Sequence, residues 1–166
     1  MRPADHPEFF LRPAPAGASR ESTIRLDGQG RFWHDGALVE HPRLSDALHQ
    51  WISRHPENGR YILTNGYDWT YFTVDDVPYF VTSVSLTPTP TLHLSDGSTE
   101  PFPESGYRIG RGDALYCAVK GGAYEARFTQ SAQTSLEPLL GTDQEAIYIQ
   151  LGSKRIYVSG ETTLHD

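Results

Sequence analysis

The chain has 166 residues, a formal net charge of −7 and one cysteine, Cys117. The acidic balance repels phosphate backbones, and only Lys120 and Lys154 represent lysine, so neither nucleic acid nor an anionic membrane surface is an expected partner. A single cysteine excludes an intramolecular disulfide framework and fits a reducing cytoplasm, and no run of apolar residues is long enough to span a membrane.

Residues 1–22 (MRPADHPEFFLRPAPAGASRES) read as a Pro-rich arm without the apolar core of a secretory signal. Phe9, Phe10 and Leu11 interrupt it, suggesting an anchor that docks on the body or on a partner. Residues 23–39 form one or two short strands, with turns at Asp27-Gly28 and Asp35-Gly36. Between these turns Phe32 and His34 share one face and Trp33 takes the other. Pro42–Arg54 is the best helix, because Leu44, Ala47, Leu48, Trp51 and Ile52 fall on one side. Pro42 suits the first helical position and Pro56 ends the element. At about 1.5 Å per residue this helix is roughly 20 Å long, and it is expected to lie across the meander that follows. Leu48→Asp is expected to unfold the first half by turning an unpaired charge to the core.

That meander, Gly59–Leu86, reads as three antiparallel strands: Arg60–Thr64, Tyr67–Val74 and Tyr79–Ser85. Asn65-Gly66 marks the first joint as a tight hairpin and Asp75-Asp76 the second. Thr87-Pro-Thr-Pro90 is an extended linker. Thr91–Phe102 forms a hairpin around Asp96-Gly97, and Gly106–Asp113 is loop with an isolated Arg108-Ile109. Leu115–Lys120 alternates as a strand. Gly121-Gly122 either closes a hairpin with AYEARF or precedes a short helix there, since Tyr124 and Phe128 satisfy both periods. Three strands follow, Thr134–Leu140, Glu145–Leu151 and Arg155–Ser159, with joints at Gly141-Thr142-Asp143 and Gly152-Ser153.

The expected fold is α+β: two similar halves in one globule, each a helix packed on a mainly antiparallel β-meander. The boundaries are an arm at 1–22, a first repeat at 23–86, a linker at 87–90, a second repeat at 91–160 and a tail at 161–166. Tyr61–Thr64 would correspond to Leu136–Leu140, Tyr71–Val74 to Tyr148–Leu151, and Tyr79–Val81 to Tyr157–Val158.

In this order the chain resembles the domain of unknown function 1285 family of uncharacterised bacterial proteins. The likeness rests on Ile24–Asp27, Phe32–Gly36, Gly59–Thr64 and, most specifically, Val74-Asp75-Asp76-Val77-Pro78-Tyr79-Phe80. Tyr148–Gly152 followed by Ile156-Tyr157-Val158 is similar to the family's closing hairpin. Asn65-Gly66-Tyr67 and Gly106–Phe128 depart from the pattern. The resemblance implies an α+β fold with a repeated unit and no assigned activity. It invites a role in signalling or ligand sensing.

No motif of common chemistry is present. The histidines lack the tight spacing of a zinc site; His49 is read as solvated and His55 as a satisfied boundary residue. Cys117 lies in an apolar alternating run and reads as a small buried hydrophobe. No nucleophile elbow, Walker loop or dinucleotide fingerprint appears, so no cofactor and no metal are expected. Asp75 and Asp76 could converge on one site from a turn, with His34 as partner, as a metal or acid/base pair. Their commoner use is to bond turn N–H groups. The remaining feature is aromatic: Trp69 and Tyr71 share one face of a strand whose other face holds Phe72 and Val74. Trp69, Tyr71 and Asp76 are therefore the candidates to line a small-molecule or protein site between the halves. The favoured reading is a non-enzymatic binding or regulatory module. The alternatives are an enzyme using Asp75 or Asp76 with His34, and a homo-oligomer joined through the aromatic face or Phe9–Leu11.

Overall fold

The computed structural model describes residues 2–160; the expected tail, 161–166, lies outside them. It is a mixed α/β structure with two α-helices and several sheets among the described residues. The chain divides into two units, Met1–Pro78 and Tyr79–Asp166, so the division falls ahead of Thr87–Pro90. That Pro-spaced stretch instead joins two paired strands of the second unit.

In the first unit the order is β1 (Arg25–Leu26), β2 (Phe32–His34), β3 (Ala37–Leu38), α1 (Pro42–Gln50), β4 (Ile52–Arg54), β5 (Tyr61–Thr64), β6 (Trp69–Tyr71) and β7 (Thr73–Val74). One sheet runs β3-β2-β1-β7 and the other β4-β5-β6. Pro42 opens α1 as expected, but the helix stops at Gln50, and Trp51 N–H closes it on the Ala47 and Leu48 carbonyls. Ile52–Arg54, expected as its last turn, pairs with Tyr61–Thr64 instead. Strand pairing supplies backbone partners and buries Ile52, whereas another turn on so short a helix is marginal. Leu48 is buried as the helical stripe requires. His49, expected in solvent, is buried too, its ring edge-on to Phe32 at 4.8 Å.

The predicted three-stranded meander is not formed. Tyr67–Val74 splits at Phe72, where consecutive N–H groups turn to different sheets: Phe72 donates to the Tyr61 carbonyl and Thr73 to that of Ile24. Phe72 points inward, 6.1 Å from the Phe32 ring and 6.3 Å from that of Tyr61. Asn65-Gly66 does mark a turn, but as part of a longer loop, since Thr64 pairs with Trp69. Asn65 Oδ1 accepts the Tyr67 and Asp68 N–H groups at 2.8 and 2.9 Å, an Asx arrangement that displaces the two-residue hairpin.

The second unit runs β8 (Tyr79–Ser85), β9 (Thr91–Leu94), β10 (Thr99–Pro101), β11 (Arg108–Ile109), β12 (Leu115–Val119), β13 (Tyr124–Phe128), α2 (Gln130–Leu136), β14 (Leu140–Asp143), β15 (Ala146–Leu151) and β16 (Lys154–Val158). A six-stranded sheet has the order β10-β9-β8-β13-β12-β11, with β8 and β13 parallel, and β14-β15-β16 form a separate meander. The Asp96-Gly97 hairpin is present, and AYEARF is a strand: Val119 pairs with Tyr124 across Gly121-Gly122.

Thr134–Leu140 is not a strand. Thr129 caps α2 by accepting the Ala132 N–H at 3.2 Å, and Ala132 and Leu136, one turn apart, are fully buried. Gly141 is likewise not a joint but a strand residue beneath Tyr148, whose ring would lie 2.5 Å from any Cβ there. The turn moves to Gln144-Glu145, both at positive φ (50° and 77°). Each unit thus contains a hairpin, a helix and then a three-stranded meander. Leu136–Leu140, expected as a strand matching Tyr61–Thr64, is instead the last residue of α2, a 3₁₀ turn and the first residue of β14.

Candidate functional site

Pairing fixes the faces of β4-β5-β6. Ile52, Leu63 and Thr70 are mutual partners on one face, and Leu63 shares a cleft there with Leu48 of α1. Ile62↔Tyr71 and Thr64↔Trp69 alternate with these, so Trp69 and Tyr71 share the opposite face, as the sequence implies.

That opposite face is occupied by the arm. Residues Pro3–Asp5 and Pro7–Leu11 form short 3₁₀ turns, and Ala4 N–H donates to the Gly66 carbonyl at 3.0 Å. Phe9 is 3% exposed and packs with Ile62 and Trp69. The Phe10 ring meets those of His55 and Trp69 at 5.8 and 6.1 Å, while Leu11 remains exposed. His55 is central: buried, it stacks on Tyr71 and stands edge-on to Trp69 at 5.1 Å. Its Nδ1 accepts the Glu57 N–H, which leaves Nε2 to donate to the Phe10 carbonyl at 3.1 Å. The ring therefore ties the arm to the sheet.

Two cations complete the seat. The Arg20 guanidinium lies 4.5 Å over the Trp69 ring, pairs with Asp68, and donates to the Trp69 carbonyl at 2.7 Å. The Arg20 guanidinium beside Asp68 holds that carboxyl below its usual range, against the opposing effect of burial. Arg60 lies 3.6 Å over Tyr71 and makes a two-pronged pair with Glu21. The indole Nε1 of Trp69 and Nε of Arg20 are buried without a hydrogen bond among the described residues. Beside the seat, a cleft of about 190 Å³ is lined by Ile24, Leu48, Trp51, Leu63, Asp68 and Trp69, among others. Sites for whole small molecules run to about 300–1,000 Å³, so this cleft fits a side chain better than a metabolite.

Asp76, the third candidate, sits in the bend after β7, on the other sheet from Trp69 and Tyr71; the structure does not bring the three together. Nor does it join His34 to Asp75. Arg25 of β1 is level with both Trp33 and Thr73, so His34 is level with Ile24 and Asp75 with Asp27. These positions are an odd number of residues apart, so the side chains leave opposite faces, about 10 Å apart along the strand. His34 Nε2 instead faces Asp35 at 3.5 Å, and Asp75 pairs with Arg25 at 2.5 Å. Among the described residues no group of His, Cys, Asp and Glu could hold a metal ion.

The polar residue that sequence reasoning passed over is Asp27. Its carboxylate accepts from the N–H groups of Gln29 and Arg31, from Arg31 Nε and from Trp33 Nε1, each at 2.9 Å. Burial pushes this carboxyl up, but the indole, the two backbone donors and the guanidinium together bring it below the usual value. Only its place before a glycine hinted at this. Cys117 is fully buried, and burial, with Glu100 and Glu125 nearby, pushes its thiol up to about 12.

No family model and no curated protein matches the sequence. Among solved structures, a DUF1285 family protein from Silicibacter pomeroyi DSS-3 is similar, with a TM-score of 0.65 at 16% identity over 93% of this chain and 86% of that one. A DUF1285 family protein from Shewanella baltica OS155 is similar over 72% of this chain and 94% of its own, with a TM-score of 0.51 at 12% identity. The likeness shows that the chain has a DUF1285-like fold.

Proposed function

We propose that the chain is a non-enzymatic binding and regulatory module whose seat is the Trp69–Tyr71 face of β4-β5-β6. The observation that carries this is the burial of Phe9 to 3% exposure by a segment holding little other structure than two 3₁₀ turns. A sheet face that encloses a short peptide with ring contacts, a His55–carbonyl bond and a cation over Trp69 has the chemistry to hold an aromatic-bearing peptide. A role in signalling fits a seat that the chain itself can close. We also read the two units as variants of one pattern, supported by the shared order of hairpin, helix and meander, and the protein as cytoplasmic, supported by its single buried thiol.

The test uses the full chain carrying Phe9→Ala and Phe10→Ala, so that its arm no longer fills the seat, and a fluorescent peptide of residues 2–12. Saturable binding, abolished by adding Trp69→Leu, is expected. A peptide that shows no saturable binding to the folded double variant would refute the reading.

A further inference from the structure

Resting on that reading, we infer that the seat also takes the arm of a second copy of this chain, giving a dimer by reciprocal exchange of residues 2–12. The arm is attached at two separate places. Residues 2–11 lie on the sheet face, whereas residues 20–22 run along the edge of β6: the Arg20 carbonyl accepts from Tyr71 N–H and Thr70 Oγ1, both at 2.7 Å, and Ser22 Oγ donates to the Tyr71 carbonyl at 2.6 Å. The tether between them, Arg12–Ser19, is exposed apart from a partly covered Ala14. Its ties include an Ala18 N–H bond to the Pro15 carbonyl, side-chain bonds from Arg20 to the carbonyls of Arg12 and Pro13, and end bonds from Arg12 N–H to the Phe9 carbonyl and from Glu21 N–H to Ser19 Oγ.

Because both attachments lie on one small sheet, the tether must double back to seat Phe9 in its own chain. It does so through Gly17, at φ 81°. Opened out, its eight residues span up to about 27 Å, more than the width of a three-stranded sheet. Pro13 and Pro15 favour that extended form. A second copy offers Phe9 and Phe10 the same Ile62, Trp69 and His55, so every contact given up within one chain is recovered in the other. The balance then depends on the reversal at Gly17 and on concentration.

Gly17→Val isolates the reversal. A Cβ at Gly17 meets nothing within 4 Å, so the substitution acts only on a backbone angle that β-branched residues scarcely adopt. Sedimentation across a concentration series should show the dimer favoured about tenfold or more per copy over the unaltered chain. Adding Phe9→Ala and Phe10→Ala should return it to monomer. A folded Gly17→Val chain that stays monomeric, or one that dimerises equally without the two phenylalanines, overturns the exchange. Binding of the 2–12 peptide to the anchor-less chain separates the two readings. If the peptide binds while Gly17→Val stays monomeric, the seat stands and the exchange falls; if it does not bind, the seat falls as well.

Discussion

Phe9→Ala removes the ring that closes the arm onto the sheet. Burying a phenylalanine to this extent contributes roughly 1.5–3 kcal/mol, and deleting one from a core typically costs about 3–5 kcal/mol. The arm, however, packs in a small cluster with Ile62 and Trp69 that does not include the buried Leu26 and Phe32 of the other sheet. Its loss therefore cannot cost more than its own docking free energy, after which the segment opens and the sheets persist. The expected outcome is local: opening of the arm becomes about tenfold to a hundredfold more frequent, and the unfolding midpoint of the first unit moves little. Hydrogen exchange reads this directly, because Ala4 N–H is held by the Gly66 carbonyl at 3.0 Å. Its protection should collapse while amides in β5 keep theirs, and emission from Trp69 should shift to the red. Unchanged protection at Ala4 would refute the argument. So would cooperative loss of the whole first unit by the full core penalty.

Asp27→Ala leaves the Trp33 indole and two backbone N–H groups short of an acceptor and should cost about 2 kcal/mol by urea denaturation. Since the folded carboxyl titrates below its unfolded value of about 3.9, its stabilisation is complete above that pH and disappears as pH falls through the folded value. Asp27→Asn should accordingly flatten the acid limb of the stability profile, and an unaltered limb would exclude this carboxylate as its source. Cys117, buried and pushed up to about 12, should resist a disulfide exchange reagent at pH 8 until denaturant is added. Stoichiometric labelling of the native chain would contradict that placement.

Local signals in the sequence survive where a single physical cause acts. Pro42 opens a helix, Asp96-Gly97 turns a hairpin, and Trp69 and Tyr71 share a face because strand alternation leaves no choice. Errors arise where two causes compete. Trp51 and Ile52 satisfy helical spacing, yet pairing with Leu63 takes Ile52 into a strand, a long-range choice that no window of sequence contains. Gly141 looked like a turn because glycine usually permits one; its actual use is to leave room for Tyr148, while Gln144-Glu145 turn without glycine. Phe9–Leu11 was legible as an anchor, and two of its three residues are. What covers Trp69 was not: Arg20 and His55 approach it from distant parts of the chain, and neither stands in a motif.

Phe72 is the point at which one continuous stretch of backbone leaves one sheet for the other, and its ring touches an aromatic neighbour on each side. It acts as a rivet. Slackening it with a smaller residue would let the two layers of the first unit slide while each ladder stayed whole. A mechanical message from the arm-bearing layer to the layer carrying Asp27 and Asp75 has this ring as one route, beside the one through His49 of α1 and Phe32.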